Sequence, residues 1–426
     1  MRALCSPQAP IQWVEAQSED GAGMATLAAT KETVLPRIPD QEFSERVSKV
    51  QSKMRAQQID LLVAYSNAFD PGHVRYFSDV VGINEAAAIV IPSRGDAIVC
   101  AGQASQSWAA HKSRLGDVRI VPEVGEVAAP EYIVGETQSF LDLFRDLAST
   151  IPVKKVGIVG RLIFPQIIYA KLKDSFPEAE IIDSEPLVFE LRVLKSSDEI
   201  ACVRKAAQIV SACFREVVDR IRPGWTELDI MGDFTAGILK RGAEDTAVSW
   251  SPMIPSGTEH SNLCMNRNTL RRVGEGEIIC LQAGATYEGY NASLCTPLVL
   301  GEIPLEIKQA VNTANQAMDA IVNSLRPGAS SKEVNAVGKA ILKRAGYAGY
   351  SPYAMVHNIG CLECESPWMP DDADFWIVEG MTVCVDVFLY RLPWGSFRIE
   401  DTLAITAKGA DRLTTFNQEF IPRHFA

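Results

Sequence analysis

Residues 281–301, LQAGATYEGYNASLCTPLVLG, read as two apolar strands joined at Gly289-Tyr290, yet their inward positions hold Gln282, Ser293 and Cys295. Such a neutral, hydrogen-bonding wall can grip a substrate or a water, because buried amides and hydroxyls must find partners. Downstream, His357 stands in HNIGCLECESP, Asp386 in MTVCVDVFLY, and Arg398 with Glu400 in FRIEDTLAIT. Imidazole is the side chain among these that titrates near neutrality in its ordinary state, so His357 can pass a proton in either direction. Arg398 and Tyr290 can pair with or orient the carboxylates. His73, His111 and His424 lack an acidic or cysteine constellation, which leaves His260 as the other histidine to test.

Six of the ten cysteines lie between residues 264 and 384, and Cys361 and Cys364 form a CxxC. Structural zinc normally takes four ligands, and this CxxC lacks the strand-to-helix setting of redox proteins, so substituting either cysteine is expected to be nearly silent. Cys280 and Cys384 lie in apolar strands and are expected in the core.

The elements that must position these residues follow from composition and pattern. At 426 residues, 47% hydrophobic and 22% charged, the chain is long enough for two globular domains with full cores. A formal charge of -12 argues against nucleic acid and anionic membrane surfaces. There is no apolar run near a membrane span and no signal-peptide core, so the expected location is cytoplasmic, with reduced thiols. Residues 1–35 read as a disordered or extended tail in which Met24 is a second candidate start. Residues 36–190 alternate apolar runs (IDLLVAYS, AAAIVIPS, DAIVCA, VRIVPE, KKVGIVG, AEIIDSE) with helical stretches, which predicts an α/β domain. Ser196 and Glu199 then form a capping box that opens a long helix. Residues 191–426 contain an internal repeat, RPGWTELDIMGDFTAGILKRGAE from Arg222 and RPGASSKEVNAVGKAILKRAGY from Arg326. Strand-like runs follow each copy, first VSWSPMIPSG and the hairpin, then YAMVHNIG, MTVCVDVFLY and FRIEDTLAIT.

Four landmarks in order, Gly284 with Tyr287 and Gly289-Tyr290, His357 in HNIGCLECESP, EGMTVCVDVFLY and FRIEDTLAIT, resemble the creatinase, prolidase and methionine-aminopeptidase family. The resemblance spans residues 40–420. It implies an α/β (α+β) chain in which an amino-terminal creatinase/prolidase-type domain precedes a pita-bread domain with a pseudo-twofold repeat. In the metallopeptidases of that family two Asp flanking the Gly-Tyr turn, a His and two Glu hold two metal ions. The resemblance lays those positions on Gln282, Ser293, His357, Asp386 and Glu400. An amide and a hydroxyl bring no charge to neutralise two divalent ions, so the dinuclear centre is not expected. Creatinase-type members, which work without metal, are the precedent. Three departures argue against creatine itself. Cys295 stands where creatinase binds guanidinium with a Glu, Glu85 stands about where an Arg binds the substrate carboxylate, and the acid-base His falls near Cys264 or Met265, with His260 close by in sequence.

The expectation is therefore a metal-independent, creatinase-like hydrolase or lyase, without cofactor, acting on a C–N or related bond of a small polar molecule. His357 is its general acid/base with Asp386 and Glu400, and Gln282, Ser293, Cys295, Tyr290, Arg398, His260 and Glu85 contact the substrate. Two alternatives stay open. One is a mononuclear-metal Xaa-Pro-peptidase-like hydrolase using His357, Asp386, Glu400 and Cys295; the other is a catalytically inactive binding domain of the same fold. Within the first reading, Cys295 is an alternative nucleophile paired with His357. The resemblance also implies a homodimer, and no nucleic-acid or membrane partner is expected.

Overall fold

The structure, a computed structural model, describes residues 35–126, 136–247, 251–263, 265–371 and 374–426. Residues 1–34 of the expected tail, Met24 among them, and Cys264 lie outside the described residues.

Asp40–Ala56 (α1) carries the buried stripe Phe43, Val47, Val50 and Met54, with Asp40 and Glu42 in its first turn and Lys53 and Arg55 in its last, as the helix dipole favours. It covers a six-stranded sheet made of Leu61–Ser66 (β1), Ala87–Pro92 (β2), Ile98–Ala101 (β3), Asp117–Ile120 (β4), Lys155–Val159 (β5) and Glu180–Asp183 (β6), in the order β4-β3-β2-β1-β5-β6. β1 pairs antiparallel with β2 and parallel with β5. Its alternation is read by two cores. Leu61 and Val63 pack with Phe140, Leu143 and Phe144, while Leu62 and Ala64 join the larger core that contains α1. Burial on both faces explains why the sequence shows apolar runs here and no alternation. The remaining helices of this part are Gly72–Ser78 (α2), Gln106–Lys112 (α3), Phe140–Thr150 (α4), Gln166–Ser175 (α5) and Glu185–Arg192 (α6).

The Ser196 hydroxyl accepts the Glu199 N–H and the Glu199 carboxylate accepts the Ser196 N–H, so the predicted capping box opens Ser197–Val218 (α7). Glu227–Leu239 (α8), Asp245–Thr246 (β7) and Gly257–Ser261 (α9) precede the hairpin Ile279–Tyr287 (β8) and Tyr290–Leu298 (β9). The second half repeats this plan with Leu305–Ser324 (α10), Ser331–Arg344 (α11), Val356–Asn358 (β10), Glu365–Trp368 (β11) and the hairpin Thr382–Leu392 (β12) and Gly395–Thr406 (β13). Gly409–Arg412 (β14) and Phe416–His424 (α12) close the chain. The repeat extends to backbone conformation. Gly224 and Gly328, which follow the two Arg-Pro pairs, sit at φ +89° and +82°, and the closing Gly242 and Gly346 at +87° and +85°. The two halves join through β13–β9 pairing into one sheet ordered β11-β10-β12-β13-β9-β8-β7.

Two sequence expectations need correction. The hairpin turns at Glu288-Gly289, one residue before the expected Gly289-Tyr290, with φ +47° and +82° as a two-residue loop requires. The run VSWSPMIPSG supplies no regular strand among its described residues. Met253 and Ser256 touch β8 only as isolated bridges to Gln282 and Ile279, beside Pro252 and Pro255, which have no N–H to give a ladder.

Candidate functional site

Strand register builds the site. Asp386 lies opposite Glu400, Glu400 opposite Cys295, and Cys295 opposite Gln282, in one row across β12, β13, β9 and β8. A second row runs from His357 to Cys384 to Thr402, whose hydroxyl accepts the N–H of Ser293. The rows are two residues apart along each strand, and side chains alternate with period two, so both project from the same face. The segment after β10 brings Glu363 to them. One ligand atom from each of His357, Glu363, Cys384 and Glu400 then lies within 4.8 Å of all the others.

Each side chain is held by its neighbours. His357 donates from Nδ1 to the Asn358 carbonyl at 3.0 Å, which fixes the ring's orientation and leaves Nε2 facing Glu400 Oε1 at 3.5 Å. Its ring stacks on Trp368 with centroids 4.8 Å apart. The Cys295 thiol donates to Glu400 Oε2 at 3.0 Å. Asp386 accepts from the Tyr353 hydroxyl at 2.6 Å and lies 3.8 Å from Arg398, whose guanidinium stacks over Phe388 at 4.5 Å.

These contacts set the charges. Burial pushes the His357 imidazole down, but hydrogen bonds to Cys364 and Glu400 outweigh it and hold the ring charged well above its usual range. Burial would raise Glu400, yet the His357 hydrogen bond and charge keep it down at about 2. Glu363, raised first by burial and then by the Glu400 charge, is pushed up to about 7. Burial, then Glu400, drive the thiols of Cys295 and Cys384 well up, so neither is a free thiolate nucleophile. Burial also raises Asp386, against the pull of Arg398.

The site is short of donors. Gln282 Oε1, Ser293 Oγ and Asp386 Oδ1 are all buried and have no hydrogen-bond partner among the described residues, and Glu400 Oε1 has only the 3.5 Å contact to His357 Nε2. Leaving several acceptors orphaned on one face costs roughly 1–3 kcal/mol each, and a cation or a donor-bearing ligand is the group that removes that cost.

Of the residues singled out in the sequence, His357, Asp386, Glu400, Gln282, Ser293, Cys295 and Arg398 come together here. Three do not. The Tyr290 hydroxyl donates to Glu199 at 2.5 Å and accepts from Arg46 at 3.0 Å, because the hairpin turn points toward α1 and α7. His260 Nδ1 is held by Glu227 at 3.1 Å, in a cluster with Ser256 and Thr269. The Glu85 carboxylate accepts the backbone N–H groups of Ala104 and Ser105 and so shapes a loop of the first domain. Conversely, Glu363 and Cys384 were missed. Cys384 is two residues before Asp386 on one strand, a spacing that already put both on one face. Glu363 lies between Cys361 and Cys364, where no strand period applies.

Comparison with known proteins agrees with this architecture. Residues 46–194 match the creatinase/prolidase N-terminal domain, and residues 201–407 match metallopeptidase family M24. The chain is 26% identical over 284 residues to the Xaa-Pro dipeptidase of Pyrococcus furiosus, covering 67% of this chain and 79% of that one. It is 28% identical over 234 residues to the probable dipeptidase PepE of Mycobacterium tuberculosis, covering 54% and 61%. Among solved structures, the prolidase of Pyrococcus horikoshii superposes with a TM-score of 0.74 at 23% identity over 87% of this chain and 98% of that one. The X-Pro aminopeptidase of Thermotoga maritima gives 0.75 at 21% identity over 87% and 97%. The expectation of a metal-independent, creatinase-like reaction is overturned by the matches to a metallopeptidase family and to Xaa-Pro dipeptidases, and four convergent ligand atoms accord with that correction. The ligand atoms that converge within 4.8 Å come from His357, Glu363, Cys384 and Glu400, whereas Asp386 Oδ2 accepts from Tyr353 and Cys295 donates to Glu400. The chain thus has the architecture of the M24 peptidases, which are hydrolases: a creatinase/prolidase amino-terminal domain precedes an M24 pita-bread domain.

Proposed function

We propose that the protein is a metal-dependent peptidase of Xaa-Pro type, which hydrolyses the bond preceding proline in short peptides with a single divalent ion. The observation that carries this reading is the set of ligand atoms from His357, Glu363, Cys384 and Glu400 within 4.8 Å of one another. Gln282 and Ser293 stand at the two hairpin positions that carry Asp in dinuclear members. That supports one ion, because an amide and a hydroxyl cannot neutralise a second.

When bound, the ion supplies Lewis-acid polarisation of the scissile carbonyl and of an attacking water. The chain's own residues do the rest. His357, fixed by the Asn358 carbonyl, keeps Nε2 toward the cluster. Glu363 comes to the cluster from the segment after β10 as one of the four groups that would hold the ion. Asp386 Oδ1, buried and without a partner among the described residues, accepts the peptide ammonium, and Arg398 takes the carboxylate. Gln282 and Ser293 provide the neutral wall that hydrogen-bonds the peptide unit. Trp368 and Tyr353 pack edge to face at 5.4 Å beside His357 and offer an apolar surface to the proline ring.

The test is a panel of Xaa-Pro dipeptides and longer Xaa-Pro peptides, with protein stripped by chelator and reloaded with zinc, manganese or cobalt. Turnover that vanishes on chelation and returns with one equivalent of metal is expected. Turnover unaffected by chelation, or none across the panel with every metal, sinks the proposal.

A homodimer is part of the same proposal. Exposed Phe69, Ile83 and Trp108 border an opening of about 630 Å³ that also reaches Glu244 and Thr246 on the second domain. A second copy would cover this apolar rim. Light scattering at micromolar concentration should return twice the chain mass, and a strict monomer contradicts it.

A further inference from the structure

We propose that the ion site is a mixed thiolate site selective for zinc, with Cys384 Sγ as its sulfur ligand. This rests on the single-ion reading above and deepens it. Cys384 lies opposite His357 in the β10–β12 ladder, and its sulfur belongs to the four-atom cluster with His357, Glu363 and Glu400. Its present hydrogen bond is a long one, 3.5 Å to the Thr402 hydroxyl, and thiols are weak partners in any case. The neighbouring sulfurs stand outside the four-atom cluster: Cys295 donates to Glu400 Oε2 at 3.0 Å, and Cys280 accepts from Gln282 at 3.5 Å and from the Arg398 N–H at 3.4 Å.

Charge and softness choose the ion. Two carboxylates and one thiolate carry three negative charges, one more than a single divalent cation needs and one fewer than two would. Imidazole nitrogen with thiolate sulfur suits zinc, whereas magnesium and manganese prefer all-oxygen sets. Zinc bonds run about 2.0–2.3 Å, so the four atoms must draw inward. Glu400 Oε1, held only by the long 3.5 Å contact to His357 Nε2, and the half-buried Glu363 have the freedom to do so. On binding, the Cys384 S–H and His357 Nε2–H bonds break, S–Zn and N–Zn bonds form, and two protons leave to solvent.

The experiment uses full-length, chelator-stripped protein titrated with cobalt(II), then challenged with zinc and, separately, manganese. One cobalt per chain is expected, with an intense near-ultraviolet sulfur-to-cobalt charge-transfer band that zinc erases and a large excess of manganese does not. Cys384→Ser should abolish the band and weaken zinc at least about 100-fold, since losing even an outer partner of a metal ligand costs about 10–100-fold. Cys295→Ser and Cys364→Ser should keep the band, and Glu363→Gln should keep it with weaker binding. Should Cys384→Ser not fold, zinc-edge X-ray absorption on the wild type decides the same point, with one sulfur expected at about 2.3 Å. A band that survives Cys384→Ser, cobalt bound without a band, or zinc with no sulfur neighbour overturns the thiolate assignment and leaves the single-ion reading standing. Absence of any bound ion overturns both.

Discussion

Two buried charged clusters lie within this chain, and they differ in how their acceptors are used. Where the first domain meets the second, Glu365 binds Arg192 at 2.5 Å, Lys195 at 3.5 Å and the Leu362 N–H, while Glu199 takes Tyr290 and the Ser196 N–H, and Glu42 takes Arg46 and Ser196. Both oxygens of Glu42, Glu199 and Glu365 are engaged. At the sheet face, Asp386, Gln282 and Ser293 each keep a buried oxygen without a hydrogen-bond partner among the described residues, and Glu400 Oε1 has only His357 at 3.5 Å. A closed cluster holds two domains in one orientation, whereas an open one of similar burial awaits a donor or a cation. Burial and charge alone would have ranked them equally; the accounting of partners separates them.

The contrast can be broken from either side, and the largest effect belongs to the closed cluster. Arg192→Met strands the buried Glu365 and is expected to cost about 3–5 kcal/mol of stability, measured by denaturant unfolding. A loss below about 1 kcal/mol would mean that the cluster is no clamp. At the open cluster, His357→Ala should lower turnover by about 10²-fold or more with unfolding nearly unchanged, since metal ligation passes through that ring. Full activity in that variant would remove His357 from the mechanism. Metal sharpens the same difference. Zinc at 100 times its dissociation constant should raise the stability of stripped wild type by about 2.7 kcal/mol, and of Glu400→Gln by much less, read as a shift in thermal midpoint. Equal shifts in both proteins would put the ion elsewhere. Tyr290→Phe is the mildest case. It removes one hydrogen bond to Glu199 and should cost about 1–2 kcal/mol without changing turnover, whereas lost turnover at full stability would return Tyr290 to the site.

Much of this was legible in the sequence. The stripe Val47, Val50 and Met54, the six apolar runs of the first sheet, the Ser196–Glu199 capping box and the duplicated Arg-Pro-Gly starts are local patterns. Each is fixed by helix or strand period, or by the backbone freedom of glycine, and each reappears in the fold. The site was legible as far as a resemblance could carry it, so His357, Asp386, Glu400, Gln282, Ser293, Cys295 and Arg398 were named before any register was known.

Three matters were decided only by tertiary structure. Which cysteine faces the cluster depends on ladder register, because a shift of one residue would turn Cys384 into the core and Val385 toward the site. Glu363 reaches the cluster from a segment with no period to read, and its proton affinity comes from burial and the Glu400 charge, neither of which exists along an extended chain. Tyr290, His260 and Glu85 looked available only because their partners, Glu199, Glu227 and the N–H groups of Ala104 and Ser105, are distant in sequence or invisible as side-chain types. Sequence determines which groups a chain owns and how they alternate. Whether a buried acceptor is already satisfied is set by contacts between remote segments, and that is what divides the scaffold of this protein from its chemistry.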